Sequence, residues 1–547
     1  MRRFSRFTLI GGGFAAAAWL LACDTAAAAS DAQCPLAAPQ AVAAGLVAAG
    51  AGASLEPGGI RVGSESAGAF DAQADIARHE AERVEFERLL ATRPLLPAEP
   101  ALRVAITAQQ RAAIEQGAIG AGRRKVGEAV DVGQVVDFSG MDARALASGA
   151  VDVAGGVAAR NGAAGASWAI ELSSPDATAL RLFFEDVELA PGVTLAVYNE
   201  LGRVAGPYAG RGADGTGSFW SSSVFGDRIV VQVRADDVQA LRASRFTVSR
   251  AMHFGSGFHV AESARPRYAV GPSPDSTDFC GTQVPNCKVD GMCALQTNAG
   301  LANIVNAVAH LEFVDGGSAY ICTGTLLNTS LAGSGPRAPY LLTANHCIST
   351  QASATSVEAY FRYHTASCNG ACNWTLTQVN GSTLLATGAA PNYSDFTLLR
   401  LSPIPTGSGL MLAGWASGAL VEGAYLLRMS HPEGAPLAYS LRRLRKNNSS
   451  LTHCAGAAEP TFMYSGLMTQ SSDAEGAVAG GSSGSAAVVL NDDASDVYVV
   501  GQLIGDCPDG SDTCNPNANA TVDGAFSASF PYLKRFLVDR IFASGFE

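Results

Sequence analysis

Basic charge is in short supply. The chain has 37 Lys and Arg against 49 Asp and Glu, a formal charge of -12. It therefore lacks the basic footprint that nucleic-acid binding requires. There is no HExxH zinc motif, no acidic run spaced like a calcium loop and no sustained heptad pattern. No stretch beyond the N-terminus reads as a transmembrane helix. No motif asks for a cofactor or a metal. Cysteine is also nearly absent from the first half, where only Cys23 and Cys34 of the 12 occur.

The N-terminus "MRRFSRFTLIGGGFAAAAWLLACDTAAAAS" has a basic start, an apolar run and small residues. This is a secretory signal by pattern, spanning 1–29, and places the protein outside the cytoplasm: secreted, periplasmic or at the cell surface. "LLAC" ending at Cys23 leaves a lipid anchor open as the other processing route. Ten cysteines from Cys280 onward then read as disulfide partners, since export favours pairing. "CNGAC", with Cys368 and Cys372, is the one pair that resembles a metal site, and no matching pair supports it.

The texture of the chain changes along its length. Over 30–160 the clearest element is "AFDAQADIARHEAERVEFERLLATRP", a surface helix stopped by Pro94, with His79 a solvated residue on it. Over 161–240, "ALRLFFEDVEL", "TLAVYNE" and "RIVVQVRADD" alternate with turn residues and predict a small β-sandwich. Residues 241–275, with "ESARPRYAVGPSPDSTDF" at their end, read as a linker and processing region. From 276 to 538 many short strands precede one helical pattern, "ASFPYLKRFLVDRIF". This predicts a pair of β-barrels closed by a helix, followed by a tail at 539–547.

The stretch "AGGSSGSAAVVL" reads as a flexible linker or as a serine held in a glycine turn. Context favours the turn, because "AAVVLNDDASDVYVVGQLIG" continues as two strands. G-x-S-x-G would also suit an α/β-hydrolase, but that fold needs a histidine downstream and the last one is His453. Three stretches offer the parts of nucleophilic acyl transfer: "YLLTANHCIS" with His346, "NYSDFTLLRL" with Asp395 and "GGSSGSAAVV" with Ser483. Their order is His, Asp, Ser, at separations of about 50 and about 90 residues, the order of the chymotrypsin-type proteases. Each residue alone has a blander meaning, as a core histidine, a turn aspartate or a linker serine.

"CTGTLLN", "YLLTANHC", "SDFTLLRL", "AGW", "HPEG", "GGSSGS" and "GQLIG" together resemble the secreted bacterial lysyl endopeptidases and their trypsin-like relatives. The resemblance covers the C-terminal half and implies a chymotrypsin-like double barrel. It makes His346 the general base, Asp395 its orienting partner and Ser483 the nucleophile, with the N–H groups of Gly481 and Ser483 as oxyanion hole. Leu503, Ile504 and Gly505 become the strand edge that pairs with the substrate backbone. The implied disulfides are Cys322–Cys347 and Cys293–Cys368, with Cys287 reaching Cys507 or Cys514. The partners of Cys280, Cys372, Cys454 and whichever of Cys507 and Cys514 remains stay open.

Specificity departs from the family. The position of its lysine-binding aspartate falls at Thr521, with Asp523 two residues on. Ala477 stands six residues before Ser483, and Ile504 replaces the histidine after G-Q-L. Asp523 and Asp506 are the candidates to receive a Lys or Arg side chain, each with an ordinary turn or surface role as its alternative. The resemblance further implies a zymogen whose front half is a propeptide, removed near 265–280. The expected fold is therefore mainly β, a helix-plus-sandwich propeptide before a double barrel, and the expected partners are protein or peptide substrates and the chain's own propeptide. Two other readings stay in view: a catalytically silent protease-fold binding protein, and a surface lipoprotein with a ligand-binding sandwich.

Overall fold

A computed structural model describes residues 54–117, 122–255, 288–330, 337–373, 376–446, 460–466, 476–507 and 520–538. The leader, Cys23, Cys34, the join after residue 255, Cys280, Cys287, Cys454, Cys514 and the tail lie outside the described residues.

Period-two alternation drives the N-terminal half. Leu180, Leu182 and Phe184 of strand Ala179–Glu188 face Phe246 and Val248 of strand Arg245–Phe254, and all are buried. Trp168 and Phe138 complete this core, their rings edge-on at 5.6 Å. One sheet runs Val204–Tyr208, Val193–Tyr198, Arg228–Ala235, Gly165–Ser173, Gly156–Asn161, Val151–Val153. The second is built on Ala179–Glu188, Arg245–Phe254 and Arg124–Asp137. The sandwich thus takes in more chain than the expected 161–240. Arg124–Asp137 reads poorly as a strand because its "RKVGEAVDVGQVVD" mixes charges and glycines with its valines.

The helix Ala72–Thr92 starts where the Asp71 side chain accepts from the N–H groups of Gln73 and Ala74. It packs Leu89 and Phe86 on the outer face of the first sheet, against Tyr198.

Two barrels follow. The first contains strands Val308–Asp315, Ser318–Leu327, Tyr340–Ala344, Glu358–Phe361, Thr377–Asn380, Ser382–Gly388 and Phe396–Leu401. In the second, strands Val497–Cys507, Ala486–Leu490, Tyr425–Ser430, Ala438–Arg445, Phe462–Gly466 and Ala520–Ala525 pair in that order, and the last pairs with the first to close a ring. The C-terminal helix Phe526–Leu537 lays Phe526 and Phe530 against Trp415. Among the described residues no helix is long and apolar enough to cross a membrane.

The halves share one sheet. Arg124–Asp137 pairs along one edge with Arg245–Phe254, and its first residues pair along the other with Ser318–Leu327 of the first barrel. Val126, Phe225, Met252 and Phe254 from the front half pack with Ile321, Tyr360 and Tyr363 from the barrel. Inside this contact a single guanidinium meets two carboxylates. Arg181 Nη1 lies 2.9 Å from Glu312 Oε1 and 3.8 Å from Glu358 Oε2, and Nη2 donates to Ser356 O at 3.0 Å. Ser223 Oγ is 3.0 Å from Glu312 Oε2 and 2.5 Å from Glu358 Oε2. One hydroxyl proton serves only one of those contacts, so a carboxyl proton is needed for the other.

Of the two carboxyls, Glu312 is the one shifted towards holding a proton. Burial and the charge of Glu358 hold its carboxyl well above the ordinary range. Burial acts to raise Glu358 as well, but Arg181 and hydrogen bonds from Glu312 and Ser223 outweigh it and the net shift is downward. Tyr360, Tyr208 and, more distantly, Arg203 are the other ionisable groups around the pair. A carboxyl raised in the folded state contributes stability that is full at low pH. That contribution fades as pH climbs from the ordinary 4.5 through the raised value. The chain is therefore expected to lose stability towards alkaline pH, and Glu312→Gln to flatten that slope, read as urea midpoints from pH 5 to 9. Arg181→Ala strands the buried Glu358 carboxylate and should cost about 3–5 kcal/mol in the same assay.

Candidate active site

Two paired strand ends bring the first two candidate residues together. Ala344, at the end of Tyr340–Ala344, pairs with Phe396, at the start of Phe396–Leu401. His346 and Asp395 therefore leave the barrel side by side. His346 Nδ1 lies 2.6 Å from Asp395 Oδ2, and the His346 backbone N–H donates to Oδ1 at 3.0 Å. Asp395 is buried and holds a left-handed φ of +55°, a conformation that an aspartate keeps only when its surroundings impose it. The Asn345 N–H donates to its carbonyl at 3.0 Å, and Gln502 Nε2 reaches the same carbonyl at 3.3 Å and that of Ser394 at 2.5 Å. With Nδ1 turned to the carboxylate, Nε2 is the nitrogen left on the side of Ser483 and Gly122.

Gly480–Ser485 is a turn and no linker. The Ser482 N–H donates to Ala479 O at 2.8 Å, Gly484 N–H to Leu503 O at 2.9 Å, and Thr323 N–H to Ser483 O at 2.8 Å. Gly484 has φ +79°, and a β-carbon there would stand 2.2 Å from Thr343 Oγ1 and 2.6 Å from Thr323 O. Only glycine fits. Beneath the turn, His431 of "HPEG" stacks on Tyr363 and its Nδ1–H donates to Ala435 O at 3.0 Å. Burial pushes its pKa down to about 4, so it is a neutral brace at physiological pH.

What fills the cleft comes from the front half. The Gly122 carbonyl accepts from the Gly481 N–H at 3.3 Å. Gly122 has φ +77°, and a β-carbon on it would lie 2.5 Å from Ser483 Oγ, 2.9 Å from Ile504 O and 3.3 Å from His346 Nε2. Ser483 Oγ, His346 Nε2 and the Ile504 carbonyl thus crowd the side of Gly122 where a side chain would stand. Among the described residues, Ser483 Oγ makes no hydrogen bond to His346. After Gly122 the chain pairs antiparallel with the first barrel, Arg124 opposite Ile321 and Lys125 opposite Tyr320.

Leu503, Ile504 and Gly505 lie on strand Val497–Cys507, beside Ala520–Ala525. Asp506, half-buried, follows them, close enough for its charge to act on buried Arg442. Asp523 is not an open receptor for a substrate cation. It is fully buried and ion-paired to Arg428, which also donates to Ser485 O at 2.7 Å. Cys293–Cys368 and Cys322–Cys347 are bonded, and Cys372 and Cys507 are disulfide-bonded as well. Cys322, His346 and Cys347 cluster tightly enough for a metal, but both thiols are spent in their disulfide. Arg428 and Gly122 were missed by sequence reasoning, since neither lies in a motif.

Residues 283–525 match the family model described as lysyl endopeptidase, C-terminal domain. A lysyl endopeptidase of Pseudomonas aeruginosa is 28% identical over 286 residues, 51% of this chain and 54% of that protein. The chain thus spans about half the length of that curated relative. Similar solved structures include an inactive mutant of Rv3671c from M. tuberculosis, with TM-score 0.28 and 15% identity over 45% of this chain and 94% of that one. Another is the thermostable serine protease AL20 from an extremophilic microorganism, with TM-score 0.30 and 13% identity over 42% and 97%. The C-terminal half of the chain is lysyl endopeptidase-like.

Arg428 and Asp523 lie under the Gly480–Ser485 turn, and each buried charge is paired with the other. Arg428→Leu should destabilise the chain by about 3–5 kcal/mol in urea unfolding, and adding Asp523→Leu should recover most of that loss.

Proposed function

We propose that this lysyl endopeptidase-like half is a serine endopeptidase, exported and made as a zymogen, which its own N-terminal half keeps latent. The observation that carries the reading is the approach of Ser483, His346 and the Gly481 N–H to one residue, Gly122, whose carbonyl takes the N–H, with Asp395 fixed behind the imidazole. In the reaction His346 Nε2 takes the Ser483 Oγ proton as Oγ attacks the substrate carbonyl carbon. The carbonyl oxygen gains charge facing the N–H groups of Gly481 and Ser483. His346 then returns the proton to the leaving amine, and water hydrolyses the acyl-enzyme by the same route. Asp395 keeps Nδ1–H in place and stabilises the imidazolium.

Latency is supported by Gly122. Its carbonyl takes the place of a substrate carbonyl, while its left-handed backbone is unlike an extended substrate and admits no side chain. The oxyanion donor is already aimed, so activation needs removal of the plug rather than assembly of the site. Preference for Lys or Arg before the cut bond is carried by the family resemblance alone, with Asp506 the remaining carboxylate near the strand edge. Export as a secreted, periplasmic or surface protein rests on the leader pattern.

The full chain after limited proteolysis, compared with Ser483→Ala on a proteome-derived peptide library, tests the activity by mass spectrometry. Cuts made only by the unmodified protein are expected, after Lys or Arg. Cuts after other residues would keep the endopeptidase and discard the basic preference; no difference between the proteins would favour a silent binding protein. Gly122→Val in the uncut chain should push the plug off Ser483 and speed labelling by a fluorophosphonate severalfold. An unchanged labelling rate would remove Gly122 from the account of latency.

A further inference from the structure

The plug also shows how peptide runs away from the nucleophile. The Gly122 carbonyl sits at the Gly481 N–H, so the residue after it, Arg123, stands where the first residue of a substrate's leaving side would stand. The antiparallel pairing of Arg124 with Ile321 carries the segment on along the first barrel. Arg123 Nη1 donates to Asp315 Oδ2 at 2.8 Å, and its guanidinium carbon lies 3.9 Å from the centroid of the Tyr320 ring.

From this we infer that the protease selects a basic residue immediately after the cut bond, received by Asp315 and Tyr320. The inference rests on the endopeptidase reading above. Both receptors belong to the protease half, beside the turn of the hairpin formed by Val308–Asp315 and Ser318–Leu327. Each is held there by protease residues. Ser353 Oγ donates to Asp315 Oδ1 at 3.1 Å, and the Tyr320 ring stacks on Phe313 at 6.1 Å and 27°. The pocket therefore outlasts departure of the plug. A carboxylate beside an aromatic face takes guanidinium or ammonium and repels a carboxylate. Its side chains are partly exposed, Arg123 at 22% and Asp315 at 35%, so the preference is moderate and weakened by salt.

The following position is less selective. Arg124 comes within 3.8 Å of Glu433, but Lys288 already pairs with that carboxylate. A second basic residue gains little there.

The test uses the full chain after limited proteolysis and peptides built around a sequence it cuts, differing only in the residue after the cut bond. With Arg, Ala and Glu at that position, kcat/KM should fall in that order, with Arg over Ala by about five- to tenfold at low salt. Added NaCl should shrink the ratio. Asp315→Lys should reverse the order so that the Glu peptide is cut faster than the Arg peptide. Tyr320→Leu, a milder change should the first variant fold poorly, should lower the Arg-to-Ala ratio about two- to threefold. Equal rates for the Arg and Ala peptides, or an unchanged order in Asp315→Lys, would overturn the inference while leaving the endopeptidase intact. Cutting no faster than the Ser483→Ala background would sink both.

Discussion

The strand Arg124–Asp137 is the constraint on which the arrangement depends. A strand has two edges, and this one uses both, completing the sandwich through Arg245–Phe254 and extending the first barrel through Ser318–Leu327. Backbone hydrogen bonds fix register at both edges, so the residue just before it cannot drift. That residue region carries Gly122 into the cleft. Occlusion of Ser483 is thus a consequence of sheet register and does not need a dedicated inhibitory loop.

The apolar contact around this strand would hold two folded bodies together with little geometric choice, since burial is non-directional. The polar cluster of Arg181, Ser223, Glu312 and Glu358 supplies direction. A buried charge trio is weak support for stability by itself, because desolvation opposes the Coulomb gain. Its geometry is what matters: a misdocked sandwich leaves two adjacent carboxylates without their arginine. The same logic operates under the nucleophile turn, where Arg428 spans from Asp523 to Ser485. There the buried aspartate pairs with an arginine and fastens the barrel.

Legibility followed the range of the signal. His346, Asp395 and Ser483 each sit at the end of an apolar strand run and inside a recognisable local motif, so all three could be picked out as candidates before any contact was known. The closing helix and the helix stopped by Pro94 were legible from periodicity and a breaker. The strand Arg124–Asp137 was not, because its pairing on both edges and not its composition makes it a strand. Asp523 was misread as an open pocket candidate because the sequence cannot show that Arg428 faces it across the barrel.

The sequence by itself determined a mainly β chain, a net negative charge, and the order and identity of three chemically complementary residues. These are properties of composition, period and local motif. Tertiary structure alone decided which glycine lies against the nucleophile, which carboxylates share a proton and an arginine, and which acids near the cleft stay open to a substrate. Each is a meeting of residues far apart in the chain, and such meetings are set by strand register and packing, which leave no trace in the local order of amino acids.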